Sequence, residues 1–428
     1  MALPFKGALL EWEVVRRDRT FRVFVVEPDE YVPRQHAATF NAALSELIRP
    51  EMGTRDGIVP SQGEPFDLVV FPEAFLPSQD LVRTLAELRG LSIGCVHVGL
   101  RPRPDDDTHL FAVPELRDLV KGLRALNVPD ADLASFSDWL SAQPERGMFN
   151  VGALFTVDAH GQLRVCLHPK IVAATSEVSV LHAGNMTEAN LLTLIRLRPT
   201  NRTLFSVVIQ PLICADVLNL GRDTYTPGPL RAIHEFAGCF PAFPPDHVDL
   251  VSVVTCTRQS ASRPVTETSL RAWHSEFQHA FEAAAHHTDM ARHHFSAFVL
   301  ANFRTMPGGA PGGLSGVFMP VAHEAREVQR FVALFGLGRP PAGSPNNRWS
   351  QPEEARGLEG WETRAHLACL HPHYRAEDAA VRMFGFTIHR FPRDRSTWQP
   401  ERGLSRFGLK IGRLEGEGVV SFTSDDDE

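Results

Sequence analysis

Short, almost wholly apolar runs recur along this chain, and stretches of helical spacing lie between them. "FRVFVV" (21–26), "DLVVF" (67–71), "LSIGCVHVGL" (91–100), "LFSVVIQPLIC" (204–214), "VDLVSVV" (248–254), "FSAFVLANF" (295–303) and "LSGVFMP" (314–320) are strand candidates. Runs this apolar suit strands buried on both faces. Residues 36–48, 81–90, 114–142 with a break at Pro129, 228–237 and 266–292 carry helical patterns. "VGALFTV" and "QLRVCLH" flank "DAHG", a hairpin signal. This alternation predicts α/β layers, with helices outside a mostly buried sheet.

The chain has 428 residues, 43% hydrophobic and 22% charged, which suits one large domain or two. Residues 338–356 are rich in Pro, Gly and Asn and read as a long loop or linker. We therefore expect a main domain over 1–340. Residues 341–428 form an extension packed on it or on a partner subunit, with a strand near 380–391 and a solvated acidic end, "SDDDE".

Net charge is −8 and no basic stripe is present, so nucleic acid is not an expected partner. No apolar run reaches the roughly 18 residues of a membrane span. The first residues lack the apolar core and small-residue cleavage site of a secretion signal. Cysteines at 95, 166, 214, 239, 256 and 369 form no CxxC pair. Neither a zinc nor a disulfide framework is signalled, and reduced thiols in a cytoplasmic protein fit best.

Three strand ends each deliver one reactive group: Glu73 after "DLVVFP", Lys170 in "RVCLHPKIVAATSE" and Cys214 in "VVIQPLICADV". In open α/β sheets, functional side chains gather outside strand ends. A thiolate attacks carbonyl carbon, and a nearby cation lowers the thiol's pKa. A carboxylate can take the thiol proton. An ammonium, with the backbone N–H of Ala215, can hold the oxyanion of a tetrahedral intermediate. Together they would form a covalent acyl-transfer site without histidine. Alone, each residue also fits a solvated acid, a surface lysine or an inert buried thiol.

The strings around these residues resemble the nitrilase superfamily of carbon–nitrogen hydrolases over roughly residues 20–325. "DLVVFPEAFLP" is similar to its glutamate motif and "PLICADV" to its cysteine motif. "HPKIVAATSEVSVLHAGN" is similar to its lysine motif and the segment after it, with a second glutamate at Glu177 before Val180-Leu181 and Gly184-Asn185. The resemblance implies a four-layer α-β-β-α sandwich. Glu73 is then the general base, Lys170 the oxyanion-stabilising lysine, Cys214 the nucleophile, and Glu177 a positioner of substrate or water. It further implies hydrolysis of a small amide, nitrile or carbamoyl compound through a thioester. No metal or organic cofactor is implied, and the chain would assemble as a homodimer or larger homo-oligomer.

The chain also departs from the family pattern. "CADVLNLGRD" keeps Asp216 without an immediate arginine, and "TCTRQSAS" replaces the usual residues after the 248–254 strand. An acyl-transfer variant of the same site, and a silent or regulatory binding protein on the same scaffold, are therefore alternatives. Cys256 reads as a second thiol near the pocket or as a core cysteine, and His182 and Trp273 are candidate cavity-lining residues. Histidines crowd residues 274–294 without the HExxH spacing of a helix-borne metal site. "MPGGAPGG" lacks the Lys-Ser/Thr of a phosphate cradle.

Overall fold

The structure is a computed structural model. It describes residues 5–16, 18–48, 66–89, 91, 93–104, 109–174, 186–217, 248–258, 296–306, 309–313, 315–320, 367–370, 379–389, 404–415 and 419–424. The helix candidates at 228–237 and 266–292 lie outside these residues, as do the histidine-rich segment, Glu177, His182 and Trp273.

Strands β1 (Lys6–Val14) and β2 (Phe21–Pro28) precede helix α1 (Pro33–Ile48). β3 (Leu68–Val70) and the two-residue β4 (Leu76–Pro77) lead into α2 (Ser78–Glu87) and β5 (Ile93–Arg101). After β6 (Phe111–Ala112) come α3 (Val113–Ala125) and α4 (Asp130–Ser141). β7 (Met148–Phe149), β8 (Val151–Val157), β9 (Leu163–Pro169) and β10 (Leu191–Pro199) follow. β11 (Val207–Ile213) ends in a 3-10 turn, Cys214–Val217. Next are β12 (Leu250–Val254), β13 (Ala297–Ala301), β14 (Thr305–Met306), β15 (Ala310–Pro311) and β16 (Gly316–Pro320). The last described strands are β17 (Leu367–Leu370), β18 (Val381–Ile388), β19 (Leu404–Glu415) and β20 (Val419–Ser424).

These form an α/β molecule built on two large mixed sheets. One runs β1-β10-β11-β12-β13-β16-β17, the other β20-β19-β18-β2-β3-β5-β8-β9, with β4 joined to β5. Each has three parallel strands at its heart, β11-β12-β13 and β2-β3-β5, flanked by antiparallel ones. Alternate residues of β2 and β3 face different cores, as the strand period of two requires. Val23, Val25 and Val70 join residues of the other sheet in the inter-sheet core. Phe24, Val26 and Val69 pack in a second core with Phe40 and Leu44 of α1 and Phe136 of α4. Helices thus cover one face of the β2-bearing sheet, and the second sheet covers the other. Every residue of β11, β12 and β13 is buried, on both faces.

Helix α1 buries His36, Thr39, Phe40, Ala43, Leu44 and Leu47, a stripe at helical spacing that starts soon after Pro33. The expected break at Pro129 separates α3 from α4, and Asn127 (φ 59°) turns the chain between them.

Strands β1 and β10, which form an edge of the first sheet, carry no signal in the sequence reading. β1 and β10 pair in parallel over nine residues. Their outward positions are charged: Glu11 accepts from Arg196 Nη1 at 2.7 Å and Arg198 Nη2 at 2.6 Å. The edge is held from within as well. Trp12 Nε1 donates to Asp132 of α4 at 3.3 Å, and Asp132 takes two further bonds from Arg164 of β9, at 2.6 and 2.7 Å.

Strands from beyond residue 340 pair inside both sheets. β17 adds to β16, and β18 lies against β2 along its whole length. Buried Arg382 of β18 donates to Asp29 at 2.9 Å, and Arg304 donates to the same oxygen at 3.2 Å. No helix of the described residues is long and apolar enough to cross a membrane.

A buried polar thread joins the sheets. His97 of β5 bonds Ser252 of β12 through Nδ1 at 2.7 Å, and its Nε2 meets Nε2 of His168 on β9 at 3.0 Å. The Nε2–Nε2 contact needs one protonated and one bare nitrogen. Burial pushes His168 down to about 3, and burial and His168 together lower His97. The unfolded chain takes up protons below about pH 6.5, whereas the folded chain does not. Stability is therefore full above that pH and declines as pH falls toward the folded value. Between pH 7 and pH 5 the native protein should lose about 2 kcal/mol more than a His168→Gln variant. Urea titrations at the two pH values measure this, and parallel losses in the two proteins would refute it.

Candidate active site

The ends of the parallel strands define the site. β8 runs antiparallel to β5 and β9 antiparallel to β8, so β9 ends where β3 and β5 end. Glu73 follows β3, Lys170 follows β9, and Asn150 stands immediately before β8 at that same end. The Glu73 N–H donates to the carbonyl of Thr255, just past β12, at 3.2 Å, which brings the corresponding end of the other sheet alongside.

Glu73 is held in a tight backbone turn. Gly99 N–H donates to Pro72 O at 3.0 Å, and Phe75 N–H donates to Gly99 O at 2.9 Å. A Cβ on Gly99 would lie 2.4 Å from Glu73 Cα, so only glycine admits this approach. Ala74 turns the chain in the left-handed region, at φ 53°. The apolar run of β3 thus ends with its carboxylate turned inward.

The carboxylate and Lys170 form a buried ion pair. Lys170 Nζ lies 2.9 Å from Glu73 Oε1, with side-chain exposures of 1% and 4%. Asn150 Nδ2 donates to the same Oε1 at 2.7 Å, while the Asn150 carbonyl accepts the Lys170 N–H at 2.8 Å. Among the described residues Oε2 takes no hydrogen bond. One oxygen is thus anchored twice.

Cys214 sits at the turn out of β11. Its φ is 45°, in the region that costs a residue with a Cβ about 1–2 kcal/mol. Such strain is often found where a side chain must be presented for function. Asp216 fixes the turn. Its Oδ1 accepts from the N–H groups of Ile171 and Val172, both at 2.8 Å, and its Oδ2 from Ile213 at 3.1 Å. One carboxylate therefore ties the residue after Lys170 to the residue before Cys214. Burial pushes Asp216 up to about 7, against the pull of the Val172, Ile213 and Ile171 amides and of the Lys170 ammonium.

The structure thus places Glu73 against Lys170 and latches the Cys214–Ala215 turn to the Lys170 segment. Glu177, His182 and Trp273 lie outside the described residues. Asn150 was not anticipated, because one asparagine before a strand forms no pattern. Asp216 was visible in the cysteine string, but its role depends on amides distant in sequence. Cys256 is half-buried at the end of β12. Among the described residues no group of three or more His, Cys, Asp or Glu could hold a metal ion.

No protein-family model matches the chain, and no curated protein matches it. Among solved structures it is similar to a CN-hydrolase superfamily protein from Xanthomonas campestris that carries an arsenic adduct in its active site. The identity is 13% over 70% of this chain and 83% of that one, with a TM-score of 0.36. It is also similar to an N-terminal amidase with an Asn-Glu-Ala peptide, at 8% identity over 70% and 90% of the two chains, TM-score 0.35. A further N-terminal amidase structure is 11% identical over 62% of this chain and 54% of that chain, TM-score 0.28. The solved structures that this chain resembles thus include a CN-hydrolase superfamily protein and N-terminal amidases.

Proposed function

We propose that this chain is a carbon–nitrogen hydrolase of the nitrilase type, cutting a small amide through a thioester on Cys214. The observation that carries this reading is the division of labour on Glu73. Oε1 is fixed by Lys170 and Asn150, and Oε2 takes no bond among the described residues. A carboxylate held this way can receive a proton without losing its position.

The Cys214 thiol gives its proton to Glu73 Oε2, and the thiolate attacks the amide carbonyl carbon. The carbonyl oxygen becomes an oxyanion beside the Lys170 ammonium and the Ala215 N–H. As the C–N bond breaks, the leaving nitrogen takes the proton back from Glu73 and departs as ammonia or amine. Water then gives a proton to Glu73 and attacks the thioester. The intermediate expels the Cys214 sulfur, which takes the proton back from Glu73, and the carboxylic acid leaves. The ion pair keeps both charges in a buried site, where electrostatic stabilisation is strong. Glu177 as a positioner of that water, and assembly as a homodimer, belong to the same proposal.

The test is a panel of primary amides from acetamide to pentanamide, assayed for ammonia release. Equimolar ammonia and carboxylic acid are expected from at least one, with no release from a Cys214→Ala variant. Equal release by that variant would exclude Cys214 as nucleophile.

A further inference from the structure

Beside β3, on the side away from Asn150 and Lys170, stands a hydrogen-bond donor that hydrolysis does not use. Tyr31 follows β2. Its N–H donates to Thr305 O at 3.2 Å, and its ring meets those of Phe303 and His36 edge-on, at 5.0 and 5.3 Å. Arg101 Nη1, at the end of β5, donates to the Tyr31 hydroxyl at 3.3 Å. A phenol oxygen that accepts from a guanidinium keeps its own proton to give. Among the described residues that proton has no acceptor. Tyr31 and Cys256 are half-buried, whereas Phe75 and Phe303 close the wall behind them completely. Burial pushes the phenol up to about 12, with the charges of Cys256 and Glu73 acting the same way and Arg101 opposing them. It stays a donor across the working range of pH, and all four groups lie within electrostatic reach.

Sheet order decides which part of a ligand would meet it. β2 lies on one side of β3, and β5, β8 and β9 lie on the other. Tyr31 therefore approaches Glu73 from one side, Asn150 and Lys170 from the other. In the facing sheet, β11 packs over β8 and β13 over β2. Cys214 belongs to the Lys170 side, and Tyr31 stands under the end of β13. We propose that Tyr31 is a substrate-binding residue. Its hydroxyl donates to an oxygen acceptor, a ketone carbonyl or a carboxylate, on the part of the substrate remote from the bond cut at Cys214. This assignment of ends rests on the hydrolase reading above. Arg101 behind the phenol polarises the donor and favours the charged acceptor.

Three amides that differ in what the fifth carbon from the amide bears distinguish the acceptors: pentanamide, 5-oxohexanamide and 5-amino-5-oxopentanoate. Each is titrated calorimetrically into Cys214→Ala and into Cys214→Ala/Tyr31→Phe, a background without turnover. With Tyr31 present, the ketone should bind about threefold to tenfold tighter than pentanamide, and the carboxylate about tenfold to a hundredfold tighter. In the variant that also carries Tyr31→Phe, both preferences should shrink to about twofold or less. Preferences that survive the change, or that never exist, overturn the subsite. Binding is read apart from chemistry, so the two readings fail separately. A preference that collapses in the variant, while the wild type releases no ammonia from any of the three, upholds the subsite and removes the hydrolase. Ammonia release with no preference does the reverse.

Discussion

Lys170→Met should destabilise the protein by about 3–5 kcal/mol and reduce amide turnover by about a hundredfold to a thousandfold. The substitution nearly conserves volume, so packing is not the reason. It removes the countercharge from Glu73, whose side chain is 4% exposed, and leaves Asn150 as the remaining neighbour on Oε1. Glu73→Gln strands the ammonium instead and should cost a similar amount. The double variant Glu73→Gln/Lys170→Met carries neither charge. It should regain most of the lost stability, because a buried pair replaced as a unit is often neutral. Activity should not return, since on the proposed mechanism Glu73 accepts the proton and Lys170 holds the oxyanion. Urea melts and ammonia assays on the four proteins complete the cycle. Additive losses would mean that the pair is not coupled as its 2.9 Å contact requires.

At Cys214 the usual order of two substitutions should reverse. Alanine ordinarily exceeds glycine in stability by roughly 0.5–1 kcal/mol, because glycine loses more freedom on folding. At φ 45° the alanine Cβ meets the same steric penalty as the cysteine it replaces, and glycine meets none. Cys214→Gly should therefore be more stable than Cys214→Ala by about 1 kcal/mol. Neither should hydrolyse an amide. Alanine more stable than glycine would show that the turn carries no strain, and the presentation of the nucleophile would need another explanation.

The strand ends that carry Glu73, Lys170 and Cys214 were legible in the sequence, for a physical reason. Apolar runs of β3 and β11 announce buried strands, and the residues that end them are Glu73 and Cys214. Lys170 follows a strand whose hairpin partner is equally apolar. What escaped reading depends on pairing between distant segments. Asn150 matters because the Glu73 turn folds over Gly99 and brings Oε1 to it. Asp216 matters because amides from the far side of the site reach it. β1 alternates buried residues with Glu11 and Glu13, and β10 closes on Arg196 and Arg198, so neither reads as a fully apolar run. β18 matches the strand expected near 380–391, but nothing in "AVRMFGFTIHRF" says that it lies beside β2, in the register that pairs Val381 with Pro28.

The central claim is that Cys214 is the thiol made reactive by Lys170 and Glu73. Burial pushes the Cys95 and Cys166 thiols well above the ordinary cysteine range, so both should be inert in the native fold. The direct measurement is peptide mass spectrometry after brief exposure of the native protein to iodoacetamide near neutral pH. Rapid modification of Cys214, with Cys95 and Cys166 spared, and a marked slowing at Cys214 in Lys170→Met, is the predicted result. A Cys214 that stays unmodified while other thiols react, or that reacts at the same rate without Lys170, would contradict it.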